Sequence, residues 1–233
     1  MIAKWIGDLF VEGLYDIHIE LAEVPILGWD PPKMARNILS KDVMRKDVVA
    51  VEPREKVGRI LEILRATVHH GFPVVNQINP SKANEAYPDY GHLKGLILRS
   101  QLITLLQKRV FYRDYDCTIT AEGWNHIELS DFRDFYPRHD YSFSRLGISE
   151  QDKNLWMDLQ PYLHQHPHRV PLNASLHSVY NLFRGLGLRY IVVVDDNNKL
   201  RGIITRKDLA RFKEHRSKSQ YSVRELFVSD FYG

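Results

Sequence analysis

Two stretches of the chain repeat the same pattern of apolar residues at a constant distance of 119 positions. The first, VEPREKVGRILEILRATVHHGFPVV, begins at Val51, and the second, VPLNASLHSVYNLFRGLGLRYIVVV, begins at Val170. Each starts with an extended apolar segment and a turn, continues with apolar residues at i, i+3, i+4 and i+7, and closes with a β-branched run. The chain therefore contains an internal duplication of a strand–helix–strand unit.

The duplication continues through one more strand and helix. LKGLILRSQLITLL starts at Leu93 in the first copy, and LRGIITRKDLARF starts at Leu200 in the second. The offset falls to 107 because the first copy carries twelve more residues in its polar loop, residues 76–92. Such a loop insertion costs little free energy and leaves the repeat intact. Since one copy is too small to bury its own sheet, we expect two α/β units that pack as a pseudo-twofold pair.

Composition excludes several classes of protein. A net charge of +3 in 233 residues gives no reason to expect nucleic acid or an acidic partner. Cys117 is the only cysteine, which excludes a disulfide framework and a thiolate metal site. No run of about eighteen apolar residues is present, so we expect no transmembrane segment in this chain.

The N-terminal segment MIAKWIGDLF has helical periodicity, with Ile2, Trp5, Ile6 and Leu9 on one face. This pattern favours a packed amphipathic helix, with a membrane-surface segment or the end of a spanning helix as alternatives. The aromatic and apolar residues that follow, up to Pro32, predict a strap packed against the domain.

With the repeat established, GFPVV and GIITRKDL resemble the motifs of tandem CBS domains. IGDLFVEGLYDIHIELAEVPILGW, DFRDFYPR and RGLGLRYIVVVDDNNKLRGIITRKDLAR resemble the cytosolic C-terminal region of CLC chloride transporters, most of all the lysosomal chloride/proton exchanger branch. The resemblance covers nearly the whole chain but leaves out the intramembrane transport portion, so no residue here can be assigned to ion exchange.

The resemblance implies an α/β (α+β) fold, in which tandem CBS repeats form a pseudo-twofold Bateman-type module with an N-terminal strap. The expected divisions are residues 1–36 for the helix and strap, 37–110 for the first repeat, 111–157 for the inter-repeat segment, 158–216 for the second repeat and 217–233 for the C-terminal tail.

The junction between the last strand and helix of the second repeat permits two interpretations. Thr205 and Asp208 fit the S/T-x-x-D/E capping box, which satisfies backbone N–H groups at a helix start and requires no ligand. Alternatively, the helix start with Arg206 and Lys207 favours an anion, and the Asp208 carboxylate could accept hydrogen bonds from the two hydroxyls of a ribose.

The resemblance implies the second interpretation, in which Thr205 to Asp208 line a site for ATP, or for ADP or AMP. It also implies that His69, His70 and Gly71 line the adenine side, largely through main-chain groups. Val48 is a further candidate to flank the base, and it is preferred over the matching segment at Arg169 in the second repeat.

The duplication provides an internal comparison for this site. Leu98 and Gln101 occupy the positions in the first repeat that Thr205 and Asp208 occupy in the second. The first repeat therefore lacks both the hydroxyl and the carboxylate, and we predict one nucleotide per chain.

Two other polar stretches have weaker functional interpretations. His164, His166 and His168 could present imidazoles to zinc, but histidines in a proline-containing linker are more often surface residues, and we predict no metal site. The basic residues that include Lys213 and Arg216 are typical of a solvated helix end, with contact to anionic lipid as the alternative.

The sequence supports a binding module and not an enzyme, because no constellation of nucleophile, base and metal is present. The expected function is adenine-nucleotide-dependent regulation of a CLC chloride/proton exchanger at the cytosolic face of a lysosomal or late endosomal membrane. Expected partners are the CLC membrane domain, a second copy of the parent protein and an accessory β subunit. The alternatives are a structural dimerisation element with a vestigial pocket and a free-standing CBS nucleotide sensor.

Overall fold

The computed structural model describes residues 27, 31–76, 87–132, 146–210, 212–217 and 220–225. The predicted N-terminal helix and nearly all of the predicted strap lie outside these residues. The described elements follow in chain order as α1 (Ser40–Val43), β1 (Arg54–Lys56), α2 (Val57–Ala66), β2 (Gly71–Asn76), β3 (His92–Leu98), α3 (Arg99–Gln107), β4 (Trp156–Asp158), β5 (Arg169–Pro171), α4 (Leu176–Leu186), β6 (Tyr190–Val194), β7 (Leu200–Thr205), α5 (Arg206–Ala210), β8 (Phe212–Ser217) and β9 (Gln220–Glu225).

The chain divides into two compact units, and each unit draws on both repeats. Unit 1 takes in the described parts of Met1–Arg45, Val170–Ile191 and Ile203–Gly233, and unit 2 consists of Lys46–Arg169 and Val192–Gly202. The three-stranded sheet of the second repeat has the order β5-β6-β7, and β2 pairs with β3 in the first repeat.

In unit 2, helix α2 forms because its apolar residues recur on one face. The buried positions of this face are Val57, Ile60, Leu61, Ile63 and Leu64. The helix ends at Ala66, where the Thr67 backbone N–H donates to the Ile63 carbonyl at 3.0 Å and the Thr67 hydroxyl donates to the same oxygen at 2.8 Å. These contacts fix the direction in which the chain leaves the helix.

The strands that follow α2 form an antiparallel pair. The register runs from Gly71 opposite Leu98 to Asn76 opposite His92, with a shift between Val74 and Val75. This pair places Gly71, which begins β2, beside the residue that ends β3. The two strands and helices α2 and α3 enclose the core of unit 2, which includes Phe72, Leu96, Ile97, Leu102, Leu105, Leu106 and Phe111.

The inter-repeat segment contributes to this core. Phe111 is fully buried, and β4 pairs antiparallel with β1 through Met157 opposite Glu55. Met157 is also fully buried. These residues of the inter-repeat segment therefore pack into the core of unit 2.

In unit 1, helix α4 has a capping residue at each end. The Ser175 hydroxyl accepts a hydrogen bond from the Ser178 N–H at 3.3 Å, which caps the N-terminus. Gly187 follows the last turn with φ of 63°, a left-handed conformation that glycine adopts without a Cβ penalty. The N-terminal part of the first repeat pairs with this helix start, because the Ser40 N–H donates to the Ala174 carbonyl at 2.8 Å.

Equivalent positions of the two repeats make the same long-range backbone pairing. Arg45 and Ile203 exchange two backbone hydrogen bonds, of 2.8 and 3.1 Å, inside unit 1. His164 and Leu96 exchange two, of 2.9 and 3.0 Å, inside unit 2. The offsets of 119 and 107 that relate the repeats relate these two pairs as well. The N-terminal part of each repeat therefore pairs with a strand of the other repeat, Arg45 with β7 and His164 with β3.

The C-terminal part departs from the sequence prediction. The helix expected to continue through Phe212 ends at Ala210, and the basic stretch interpreted as a helix end forms a hairpin. Strand β8 pairs antiparallel with β9, from Phe212 opposite Glu225 to Ser217 opposite Gln220. The alternating polarity of the residues from Gln220 onward favours a strand at this point.

Candidate functional site

The predicted site residues divide between the two units. Thr205, Arg206, Lys207 and Asp208 belong to unit 1, whereas Val48 and the segment His69–Gly71 belong to unit 2. Each group has a defined geometry within its own unit.

The capping arrangement predicted at Thr205 is present with one difference. Asp208, the third residue of α5, accepts the Thr205 backbone N–H at 2.8 Å, as a capping box requires. The Thr205 hydroxyl, however, donates to the same carboxylate oxygen at 2.6 Å. Because its proton is committed to Asp208, this hydroxyl has acceptor capacity left but no hydrogen to offer a phosphate.

The second carboxylate oxygen of Asp208 forms an ion pair with Arg45. The Arg45 Nε donates to Asp208 Oδ1 at 2.9 Å, and the backbone pairing of Arg45 with Ile203 holds the arginine in place. The sequence analysis did not identify Arg45, because 163 residues separate it from Asp208 and no local motif indicates the contact. The repeat offset gave no signal either, since Arg45 corresponds to a histidine, His164, in the other half.

Asp208 is the only fully buried charged residue among the described residues, with 1% of its surface exposed. Burying a charge costs free energy unless partners compensate for it. Thr205 and Arg45 supply that compensation here. The site therefore has at its centre a buried carboxylate whose two oxygens both accept hydrogen bonds, with a partly exposed arginine beside it.

The two cationic residues at the start of α5 differ in their surroundings. The Arg206 guanidinium donates to the Leu188 carbonyl at 3.0 Å, and its backbone N–H donates to the Arg189 carbonyl at 3.2 Å. These bonds tie the loop before β6 to the start of α5. Lys207 is exposed on the same helix. Of the two, Lys207 is the better placed to meet an anionic ligand.

The first repeat contains the counterpart of Arg206. Arg99 begins α3, donates its backbone N–H to the His70 carbonyl at 2.9 Å, and donates its guanidinium to the carbonyls of Thr67 and Leu64. An arginine at this position therefore fixes the helix-to-strand loop in both repeats. In the first repeat this is the loop that carries His69.

The unit 2 candidates belong to two different segments. His69 and His70 are exposed, and the His69 ring meets Phe72 edge-on at 6.3 Å between centroids. Val48 is buried, and its backbone N–H donates to the Tyr90 hydroxyl at 3.1 Å. Because the same hydroxyl donates to the Lys46 carbonyl at 2.6 Å, Tyr90 fixes the main chain on both sides of Asp47.

Ion pairs anchor the end of the loop insertion that carries Tyr90. Lys199 Nζ lies 2.8 Å from Asp89 Oδ2. Arg201, which pairs with Asp195 at 2.9 Å, also donates to the Tyr87 and Pro88 carbonyls at 3.3 Å. Burial alone would raise the pKa of Asp89, but hydrogen bonds from Lys199 and from the Gly91 N–H outweigh that effect and lower it. The insertion therefore ends in an anchored segment in unit 2.

The position in the first repeat that corresponds to Asp208 is already used by the chain itself. Gln101 accepts the Leu98 N–H at 2.8 Å, as Asp208 accepts Thr205, and its amide nitrogen donates to the Tyr162 carbonyl at 3.1 Å. Gly95 permits the approach of this segment, because an added Cβ would lie 2.8 Å from the His164 carbonyl oxygen. At the position where the first repeat lacks the carboxylate, Gln101 therefore makes polar contacts within the chain itself.

The unit 1 residues fit an adenine nucleotide in part. Lys207 and the half-exposed Arg45 suit phosphate oxygens. A carboxylate offers about four lone-pair sites, and the hydrogen bonds from Thr205 and Arg45 leave Asp208 less than its full capacity for a ribose.

Neither a metal cluster nor a membrane-spanning helix occurs in the ranges that the structure describes. Those ranges contain no group of three or more His, Cys, Asp or Glu side chains arranged to hold a metal ion, although they include His164, His166 and His168. No helix in them combines the length and the apolar character needed to cross a bilayer.

Comparison with known proteins places these features in a family. The model of the CBS-domain family matches residues 40–108 and 160–215, which together make up more than half of the chain. The chain belongs to the CBS-domain family. The mixed α/β fold of tandem CBS repeats predicted from the sequence is confirmed.

Particular relatives confirm the resemblance to CLC transporters. The chain is 42% identical over 215 residues to the H(+)/Cl(-) exchange transporter 7 of Homo sapiens, a match that covers 91% of this chain and 25% of the relative. It is 34% identical over 212 residues to the chloride channel protein CLC-d of Arabidopsis thaliana, covering 90% of this chain and 26% of the relative. The chain thus spans about a quarter of the length of these relatives.

Among solved structures, CBSX2 in complex with AMP is similar at a TM-score of 0.43 and 19% identity, over 75% of this chain and 94% of that chain. A likeness this remote carries no inference about the ligands of the present chain.

Proposed function

We propose that this chain is the regulatory module of a chloride/proton exchanger and that it binds one adenine nucleotide. In the parent protein the module would face the cytosol at a lysosomal or late endosomal membrane. It would act on a CLC transport domain within a homodimer, with an accessory β subunit as a further partner. The role is binding and not catalysis.

The observation that carries the nucleotide proposal is the buried charge of Asp208. In the first repeat a neutral Gln101 satisfies the equivalent backbone N–H at the same distance, 2.8 Å. Capping therefore requires an acceptor but not a charge. Retaining a carboxylate in a buried place is costly, and residues of this kind are candidates for function. A ribose hydroxyl is a ligand group that a carboxylate accepts well.

Within unit 1, each residue has a distinct role in this proposal. Asp208 would accept hydrogen bonds from the two ribose hydroxyls, and Lys207 would meet the phosphates as an exposed cation. Thr205 and Arg206 would hold the main chain around them through the bonds described above. The roles of Val48 and His69–Gly71 at the base remain predictions from the family resemblance.

Regulation follows from thermodynamic linkage. A nucleotide changes the transport equilibrium only if it binds one arrangement of the module more tightly than another. The proposal requires such a difference in affinity and does not fix its sign.

Calorimetric titration with ATP tests the proposal on the folded chain. We expect one site per chain in the wild type and at least a tenfold loss of affinity in Asp208→Asn, which removes the charge at nearly constant shape. Asp42→Asn is the matched control, because Asp42 also caps a short helix by accepting the Leu39 N–H, at 3.2 Å. It should bind ATP as the wild type does. The absence of binding heat from a folded wild type would contradict the proposal.

A second candidate function is a structural element with a vestigial pocket. The observation in its favour is that Thr205 and Arg45 already engage both oxygens of Asp208. In that case Asp208→Asn would lower the thermal stability, and ATP would change the melting temperature of neither the wild type nor the variant.

A further inference from the structure

Arg45 connects a buried carboxylate with solvent. Its side chain is 41% exposed, whereas that of its partner Asp208 is 2% exposed. Two backbone hydrogen bonds with Ile203 fix the Arg45 main chain, so that a change of partner would involve its side chain and not its main chain. A guanidinium held in this way can reach either the carboxylate or a group in the neighbouring solvent.

The other half of the duplication shows that the fold itself does not require this cation. His164 makes the same two backbone bonds to Leu96 that Arg45 makes to Ile203. The capping residue in that half is the neutral Gln101. A cation therefore occurs at the half that contains the buried anion and is missing from the half that does not. Arg45 is matched to the charge of its partner and not to the strand pairing.

A ribose would compete with Arg45 for the same acceptor. The two ribose hydroxyls need two acceptor positions, and Asp208 already accepts from Arg45 once and from Thr205 twice. About four lone-pair sites leave room for one more bond, so one existing donor must move. The Thr205 N–H is part of the main chain at a helix start, whereas the Arg45 guanidinium is close to solvent. Arg45 is the donor that can leave at the lower cost.

We propose that Arg45 makes this site selective for phosphorylated ligands. It competes with the ribose for Asp208, and the binding free energy lost in that competition is recovered only when the ligand carries phosphates that the guanidinium can bind. This inference rests on the proposed nucleotide function and adds a selectivity to it. Adenosine competes with Arg45 for Asp208 but brings no anionic group of its own. ATP offers phosphate oxygens, to which a guanidinium binds well. The site therefore favours phosphorylated ligands over the nucleoside.

The test compares the dissociation constants of adenosine and ATP in the wild type and in Arg45→Gln. We expect adenosine to bind more tightly in the variant, while ATP gains less or loses affinity. The ratio of the adenosine constant to the ATP constant should fall about tenfold, the equivalent of one charge-assisted hydrogen bond. Arg45→Lys keeps the charge and should stay within about threefold of the wild-type ratio. Arg113→Gln, which removes an exposed ion pair with Glu122, controls for net charge.

A measurement on the wild-type chain keeps the test valid if Arg45→Gln fails to fold. The side-chain Nε–H of Arg45 should shift in an NMR titration with ATP, because its bond to Asp208 is exchanged for one to phosphate. The Nε–H of Arg113 is the internal reference and should not move.

The outcomes separate this inference from the proposed function. If the wild type binds ATP while the ratio and the Arg45 signal stay unchanged, the selectivity role is wrong and the nucleotide function stands. If neither the wild type nor a folded Arg45→Gln variant binds either ligand, both are wrong.

Discussion

Replacing Gly95 by alanine tests the pairing between the segment at His164 and β3. A Cβ at this position would lie 2.8 Å from the His164 carbonyl oxygen and 3.3 Å from the Leu163 Cβ. The first contact involves backbone, which cannot rotate away as a flexible side chain can. The segment must therefore move, and the two Leu96–His164 backbone hydrogen bonds are the ones it would break.

The magnitude follows from those two bonds. Each contributes about 0.5–1.5 kcal/mol net, and the alanine recovers about 0.4–1 kcal/mol by restricting the unfolded chain. We therefore expect Gly95→Ala to lower the free energy of unfolding by about 1–2 kcal/mol. Gly185→Ala is the matched control, because a Cβ there meets nothing within 4 Å and the residue lies in helix α4. It should raise the free energy of unfolding by about 0.5–1 kcal/mol.

Urea unfolding measures both changes, and hydrogen exchange at the Leu96 and His164 amides locates the cause. The two variants should shift the urea midpoint in opposite directions with little change in slope. Gly95→Ala should lose protection at both amides, whereas Gly185→Ala should keep it. A Gly95→Ala chain as stable as the wild type, with both amides protected, would refute the role assigned to this glycine.

Three further predictions concern charge and capping. Burial raises the pKa of Glu55 against opposing backbone hydrogen bonds, so the wild type gains stability as the pH falls through that raised value. Glu55→Gln should therefore be more stable than the wild type at pH 7. Chemical unfolding should show this difference in the free energy of unfolding closing towards pH 4. The pKa of Asp89 is lowered, so its contribution is present above the ordinary value and is lost below about pH 4; Asp89→Asn should lose less stability than the wild type between pH 6 and 3. Ser175→Ala should lower the free energy of unfolding by about 1 kcal/mol through loss of the α4 cap, measured by thermal unfolding with circular dichroism.

Local patterns predicted the elements that local physics determines. The spacing of Val57, Ile60 and Leu64 predicted α2, and the Thr-x-x-Asp motif at Thr205 predicted the cap at α5. Both are present in the structure. Periodicity and capping depend on residues within one or two turns of each other, which is why a single sequence reveals them.

Contacts between distant segments could not be predicted in the same way. Arg45 reaches Asp208 because the backbone of its segment pairs with β7, and no residue near Arg45 in sequence indicates that partner. The short length of α5 was also missed, since LARF continues a helical pattern although the chain turns into β8 at Phe212. In the first case the two partners lie in remote parts of the chain, and in the second the β8–β9 hairpin overrides the local helical pattern.

The duplication separates structural residues from candidate binding residues. A contact that both halves share serves the fold. Arg206 is therefore a residue that fixes a loop, because Arg99 makes the same kind of contact at the corresponding place in the first repeat. A feature that only one half has is not needed for that architecture. The charged pair of Arg45 and Asp208 is such a feature, and so is Lys207, which a serine replaces in the first repeat. The asymmetry between two copies of one fold is therefore the strongest guide in this chain to where a ligand binds.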